Sequence, residues 1–169
     1  SSDLNNKNIL YTAKNGEYIG HFIISDELKE NAIKTISLMK QYISNLIMLT
    51  GDNEINAKNI AEKLGITEYH SKLLPADKTE KLENIIKKGC ITAFVGDGVN
   101  DAPVLMRADV GIAMGALGSD SAIEAADIVI ADDDISKILV AIEISKYTMN
   151  TTMEVTCYSE EFQFSLIQD

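Results

Sequence analysis

The stretch Ile91-Thr92-Ala93-Phe94-Val95-Gly96-Asp97-Gly98-Val99-Asn100-Asp101 decides the fold. Its first five residues form an apolar run typical of a strand buried on both faces of a parallel sheet. Gly96 and Gly98 then allow a tight turn and a close backbone approach. Asp97 and Asp101 stand four residues apart across a strand-to-helix turn, a spacing that lets both carboxylates converge on one hard cation. Mg²⁺ suits such a pair, because it takes one or two protein carboxylates and completes its octahedron with water and phosphate oxygens. Asn100 is placed to donate to a phosphate oxygen. Taken alone, the Gly-Asp-Gly triplet is equally well read as a glycine-rich turn with a capping aspartate.

Working outward, the chain alternates strand-like and helix-like segments. Upstream, Asn45 to Leu49 reads as a strand, Glu54 to Leu64 as a helix closed by Gly65, Thr67 to His70 as a weak strand, and Pro75 opens a helix that Gly89 closes. Downstream come a short helix near Ala102 to Arg107, strands near Val110 to Ala113 and Ile128 to Ile130, and an amphipathic helix from about Ile135 to Met149. Before all of these, Leu28, Ala32, Ile33, Ile36 and Met39 recur at helical spacing between Glu27 and Lys40. Ile9 to Ile24 reads as two β runs joined at Asn15-Gly16, the pair a type I′ hairpin turn favours. The expected fold is therefore α/β, a three-layer Rossmann-like domain with a mainly parallel sheet, preceded by a short β-hairpin.

In such sheets ligands bind beyond the carboxyl ends of the strands. A second glycine-bearing loop, Thr50-Gly51-Asp52-Asn53, follows the Leu46 to Leu49 strand and should face the same edge as the Gly96 loop. Thr50 is positioned to give a hydroxyl hydrogen bond to a phosphoryl oxygen, while Asp52 or Asn53 caps the next helix. Lys78 falls on the first turn of the helix opened by Pro75, where a lone lysine reads by default as a solvated surface residue.

With 169 residues, 46% of them hydrophobic, the chain is long enough for one core. Its longest apolar stretches fall well short of the roughly 20 residues a membrane helix needs, so it is expected to be soluble. A net charge of −11 opposes nucleic-acid and anionic-membrane binding. Cys90 and Cys157 lack metal-ligand spacing and suggest a reducing compartment. His21 and His70 read as structural, Met114 and the helical methionines as core, and Asp132-Asp133-Asp134 as a cap on the last helix.

Four strings in order, Thr50-Gly51-Asp52-Asn53, Leu74-Pro75-Ala76-Asp77-Lys78, Val95 through Pro103, and Asp109-Val110-Gly111-Ile112-Ala113-Met114-Gly115, resemble the phosphorylation domain of P-type ATPases, members of the haloacid-dehalogenase-like superfamily. The resemblance covers roughly residues 9 to 150. The run Gly118 to Asp127 looks most like the heavy-metal branch, especially its zinc/cadmium/cobalt-type pumps. It implies a hairpin or return segment from a nucleotide-binding domain over 1–24, a phosphorylation domain over 25–150, and an atypical tail over 151–169. It also implies Asp97 and Asp101 as the Mg²⁺ site, Asp97 the more direct ligand, with Thr50 and Lys78 as catalytic residues holding phosphoryl oxygens. Gly51, Asp52, Gly98 and Asn100 line that site. The family's reaction transfers the ATP γ-phosphoryl to an aspartate and then hydrolyses it.

That aspartate belongs to an Asp-Lys-Thr-Gly-Thr motif at the end of the central strand, and no such string occurs in these residues. The expectation is a soluble fragment from the cytoplasmic side of a membrane pump, with the pump's nucleotide-binding, actuator and transmembrane domains as partners, ATP as the parent's cofactor, and no activity alone. Without the motif strand, the strands ending at Leu49 and Val95 would have open buried edges. Phe162, Phe164 and Leu166 alternate like a strand, so the tail is one candidate to pair there; a swapped dimer is another. Two alternatives are a haloacid-dehalogenase-like phosphatase, if Asp169 substitutes as nucleophile, and a noncatalytic interaction or regulatory module that complements a pump through the open edge.

Overall fold

A computed structural model describes residues 8–24, 28–97, 100–115, 120–152 and 162–167. A two-stranded antiparallel hairpin, β1 (Asn8–Lys14) and β2 (Glu17–Ile24), comes first. Lys14 pairs with Glu17 across a two-residue turn in which Asn15 and Gly16 have φ of 54° and 85°. Both angles lie in the region that Asn and Gly tolerate, which is why this dipeptide closes the hairpin. Leu10, Tyr11, Tyr18, Ile19 and Phe22 are exposed on it.

The main body alternates helices and strands: α1 (Glu30–Met39), β3 (Leu46–Leu49), α2 (Glu54–Leu64), β4 (Glu68–His70), α3 (Pro75–Ile86), β5 (Ile91–Gly96), α4 (Ala102–Leu105), β6 (Val110–Met114), α5 (Asp120–Ala125), β7 (Ile128–Ile130), α6 (Ser136–Thr152) and β8 (Phe162–Ile167). The strands form one parallel sheet in the order β4-β3-β8-β5-β6-β7. β3 and β5 are apolar along nearly their whole length because they are covered on both sides. One face packs Leu46, Met48, Ala93 and Val95 against Ile36 and Met39 of α1, Ala57 and Ala61 of α2, and Ile138 of α6. The other packs Ile47, Leu49 and Phe94 against Leu82 and Ile85 of α3 and Leu105 of α4.

The same device fixes two successive strands at their amino ends. Asp109, just before β6, accepts the Thr92 N–H at 2.8 Å and donates its own N–H to the Thr92 carbonyl at 3.0 Å. Asp127, just before β7, does the same with Gly111 at 2.8 and 2.9 Å. Gly111 is also required by packing, since a Cβ there would lie 2.7 Å from the Leu105 carbonyl oxygen.

The tail strand pairs, and it does so on two edges at once. β8 runs parallel between β3 and β5, with Leu46 to Leu49 opposite Phe164 to Ile167 and Ile91 to Val95 opposite Phe162 to Leu166. The last described strand in sequence therefore sits in the middle of the sheet. α5 carried no signal strong enough to be expected from sequence. The helical methionines divide, with Met39 in the core but Met106 and Met149 exposed; the reading of the helical methionines as core is corrected at these two, Met106 because it follows the short helix α4 rather than facing the sheet. Among the described residues no helix is long and apolar enough to cross a membrane.

Candidate functional site

The carboxyl ends of β3 and β5 bring the two glycine-bearing loops to one edge of the sheet. β8 lies between these strands, so their ends stand two strand spacings apart, about 10 Å. Thr50 follows β3 directly and is buried. Its backbone is fixed on both sides: Thr50 N–H donates to the His70 carbonyl at 2.9 Å and its carbonyl accepts from Leu73 N–H at 3.0 Å. Thr50 Oγ1 accepts the Asp52 N–H at 3.1 Å, which orients the hydroxyl. Of the two capping candidates, Asn53 caps α2, its Oδ1 accepting the Asn56 N–H at 3.0 Å. Asp52 is half-buried, and its carbonyl accepts from Lys72 N–H at 2.7 Å. Gly51 is exposed.

Lys78 is the residue for which the local reading fails. A lysine on a first helical turn reads as solvated, yet Lys78 retains only 3% of its exposure and donates from Nζ to Asp101 Oδ1 at 3.1 Å, with Asp101 at 1%. The reason is its phase on α3: Lys78, Leu82 and Ile85 recur at helical spacing on the buried face. Pro75 opens that helix and the Asp77 carboxylate reaches back to the Leu74 N–H at 2.9 Å, so the phase is fixed at its start. A buried charge is tolerated where it is paired, and Asp101 supplies the pair from the start of α4.

Asp101 closes the β5 loop from the other end, its carbonyl accepting from Val104 and Leu105 N–H at 2.9 and 2.8 Å. Its side chain lies against the backbone of Gly96, where a Cβ would come within 2.8 Å of Asp101 Oδ2. Asp97 and Asn100 are exposed, while Gly98 lies outside the described residues. Asp97 and Asp101 both line a cavity of about 350 Å³, together with Gly96, Val95, Met48 and Ile36. Thr50 and Lys78 do not line it. Two carboxylates of different exposure beside a glycine-only backbone suit a hard cation that keeps most of its water and phosphate ligands. The residues present therefore fit Mg²⁺.

Lys29 and Asp133 also line this cavity, and sequence reading did not anticipate them. Lys29 Nζ donates to the Asp133 carbonyl at 3.1 Å, and Asn31 Nδ2 donates to Asp134 Oδ1 at 2.9 Å, joining the starts of α1 and α6. More than a hundred residues separate the partners, so no local pattern could have signalled them. Asp134 does serve the start of α6 as expected, accepting from Ser136 N–H at 3.0 Å and from its hydroxyl at 2.8 Å.

The haloacid dehalogenase-like hydrolase model matches residues 4–109, and the chain belongs to that family. Within it, the chain matches heavy-metal P-type ATPases over most of its length. It is 42% identical over 149 residues to the zinc-transporting ATPase of Synechocystis sp., covering 86% of this chain and 21% of that protein. It is 45% identical over 150 residues to the cadmium, zinc and cobalt-transporting ATPase of Bacillus subtilis, again 86% of this chain and 21% of the relative. The chain thus spans about a fifth of the length of these curated relatives. Among solved structures, a zinc-transporting PIB-type ATPase superposes with a TM-score of 0.71 at 31% identity, over 88% of this chain and 24% of that one. The catalytic domain of the CPx-ATPase CopB-B superposes at 0.63 and 32% identity, over 80% and 57%. The chain corresponds to part of the catalytic domain of such pumps.

Proposed function

We propose that this chain supplies the Mg²⁺- and phosphoryl-binding part of the phosphorylation domain of an ATP-driven heavy-metal cation pump. The observation that carries the reading is the buried Lys78–Asp101 pair set at the same sheet edge as buried Thr50 and exposed Asp97. A buried, paired lysine held on a fixed helix is a costly arrangement that ordinary packing does not call for.

In this reading Asp97 and Asp101 hold Mg²⁺, which when bound neutralises charge on the phosphoryl group and orients it. Thr50 donates its hydroxyl proton to a phosphoryl oxygen, oriented by the Asp52 N–H it accepts. Lys78 presents a positive charge whose position Asp101 fixes, so it needs no reorganisation when phosphoryl charge arrives. Gly51, Asp52, Gly98 and Asn100 shape the rim, with Asn100 donating to phosphate. ATP serves as phosphoryl donor in the whole pump, whose nucleotide-binding, actuator and transmembrane domains are the partners on the cytoplasmic side of a membrane. The zinc- and cadmium-transporting names of the relatives support a heavy-metal cargo of that kind. With no Asp-Lys-Thr-Gly-Thr string in the 169 residues, the chain by itself should turn over no ATP. A phosphatase reading would rest on Asp169, which lies outside the described residues. A noncatalytic module that complements a pump through an open sheet edge is not supported, since the tail strand lies between β3 and β5 where that edge was expected.

The test is a Mg²⁺ titration of the Thr50, Asp97 and Asp101 backbone amides by NMR, with and without beryllium fluoride. Saturable shifts at all three are expected. Silence up to roughly tens of millimolar Mg²⁺ would mean these residues do not form the site.

A further inference from the structure

We propose that Lys72 is a positioning residue for the phosphoryl-binding edge: its left-handed backbone turns residues 70–73 into a strap that fixes the Thr50 hydroxyl. The assignment rests on the phosphoryl-binding role proposed for Thr50 and names what holds that residue in place.

Among the described residues only two besides glycine have positive φ, Asn15 at 54° and Lys72 at 55°. Asn15 sits in a hairpin turn that needs this angle, and asparagine tolerates it. Lysine does not. Its Cβ is crowded against the following carbonyl in the left-handed region, and it has no short polar side chain to offset the strain locally. Such a conformation persists only where the surroundings fix it, and at Lys72 those surroundings are the Thr50 loop. Lys72 N–H donates to the Asp52 carbonyl at 2.7 Å, and the next N–H, that of Leu73, donates to the Thr50 carbonyl at 3.0 Å. A left-handed residue brings successive N–H groups to one side of the chain, where extended backbone would turn them apart. His70 completes the set by accepting the Thr50 N–H at 2.9 Å.

Both ends of the strap are anchored, so the conformation at Lys72 is transmitted to the loop it bonds. The Tyr69 and Ser71 hydroxyls donate to Glu54 at the start of α2. Leu73 packs against the apolar cluster that holds Leu49, Leu82 and Phe94, and the Leu74 N–H is taken by Asp77 at the start of α3. Thr50 Oγ1 accepts the N–H of Asp52, the residue whose carbonyl Lys72 holds. One hydrogen-bonded circuit therefore runs from the Thr50 hydroxyl through Asp52 to Lys72, and back from Leu73 to the Thr50 carbonyl. The circuit uses the Lys72 backbone and not its exposed side chain. The strap continues directly into α3, which carries Lys78, so it also sets the spacing between the two side chains proposed to meet the phosphoryl group.

Three variants of the full 169-residue chain decide it, read by native-state amide exchange and by NMR shifts. Lys72→Val places a β-branched residue in the left-handed region. The Asp52 and Leu73 amides should then exchange about tenfold faster, while those of the β5–β6 ladder keep their rates. Lys72→Met removes the charge, keeps the unbranched stem and should match the parent. Lys72→Asn, which favours the angle, should slow both amides about threefold and is expected to fold whatever valine does. In the same samples the Thr50 response to beryllium fluoride should need about tenfold more ligand in Lys72→Val, while the Mg²⁺ midpoint read at Asp97 stays where it is. A general loss of stability does not split the two ligands in that way. Equal exchange at Asp52 and Leu73 in the Val and Asn variants would overturn the assignment. So would a Met variant that behaves like the Val variant, or a Val variant that speeds the β5–β6 ladder as much as the strap. A parent chain silent to both Mg²⁺ and beryllium fluoride would sink the phosphoryl-binding role instead, and the exchange rates would still decide whether Lys72 holds Thr50.

Discussion

Thr50, Lys78 and Asp101 are buried at the carboxyl edge of the sheet, whereas Gly51, Asp97 and Asn100 face solvent only a few residues away in sequence. The buried group is held by the core. Lys78 shares a helix face with Leu82 and Ile85, Asp101 starts the helix that carries Val104 and Leu105, and Thr50 is bonded through its backbone to His70 and Leu73. The exposed group lies on the solvent side of the same edge, where a ligand arrives. Changes in the first should be read in folding stability, and changes in the second in ligand binding.

The largest expected effect breaks the buried pair. Asp101→Ala strands the Lys78 ammonium away from the carboxylate it bonds, and should lower unfolding free energy by about 3–5 kcal/mol in denaturant titration. The double variant Lys78→Met/Asp101→Leu should recover most of that loss, because a buried ion pair is replaceable by apolar residues of similar size. It should also abolish any response to beryllium fluoride. If Asp101→Ala costs no more stability than Asp97→Ala, the division into a buried and an exposed half is wrong.

Gly96→Ala comes next. A methyl group there would sit 2.8 Å from Asp101 Oδ2 and 3.0 Å from the Phe94 ring, so one of them must move. A loss of about 1–3 kcal/mol is expected, with the Asp101 amide shifted in NMR spectra. An unchanged thermal midpoint would mean the loop yields freely and does not fix Asp101.

These expectations differ in how far the sequence could have supplied them. The strands flanking the site were legible because they are short apolar runs bounded by glycine loops, and α2 was legible because Asn53 and Gly65 mark its ends. The fold class followed from that alternation. The burial of Lys78 was not legible. A first-turn lysine looks the same whether its face points to solvent or to the core, and only the sheet position of Asp101, 23 residues on, decides the matter. Lys29 and Asp133 stayed hidden for the same reason at longer range. The tail showed its alternation of Phe162, Phe164 and Leu166, which suggests a strand, and its central place was reached as one candidate because the family resemblance left a gap between the strands ending at Leu49 and Val95; local pattern alone does not carry that.

Asp97→Asn sharpens the comparison from the exposed side. Its stability effect should stay within about 0.5 kcal/mol, as for most surface substitutions. The Mg²⁺-induced shifts at Thr50 and Asp101 should nevertheless vanish, because the exposed carboxylate is the one open to the cation. A variant that loses stability but keeps its Mg²⁺ response would reverse the assignment of the two halves.

The smallest effect concerns a contact that braces the Thr50 loop from outside. Glu54, at the start of α2, accepts hydrogen bonds from the Ser71 hydroxyl and, at 2.9 Å, from the Tyr69 hydroxyl. The Ser71 bond first, and then the Tyr69 bond, hold the Glu54 carboxyl below its ordinary value of 4.5. The same Tyr69 bond raises the Tyr69 phenol above its ordinary 10.0. The signs oppose each other at the two ends of the pH scale. A carboxyl depressed in the folded state adds stability above pH 4.5 that is lost as pH falls through the folded value. A phenol raised in the folded state adds stability below pH 10.0 that is lost as pH rises through the folded value. Glu54→Gln removes the charge behind both, so its thermal midpoint should change less steeply than that of the parent chain at the acidic and at the basic end. Glu54 is exposed and Tyr69 half-buried, and each change should be slight. Parallel curves for parent and variant at both ends would show that β4 and α2 are held by packing alone, and that the Thr50 loop needs no brace from the solvent side.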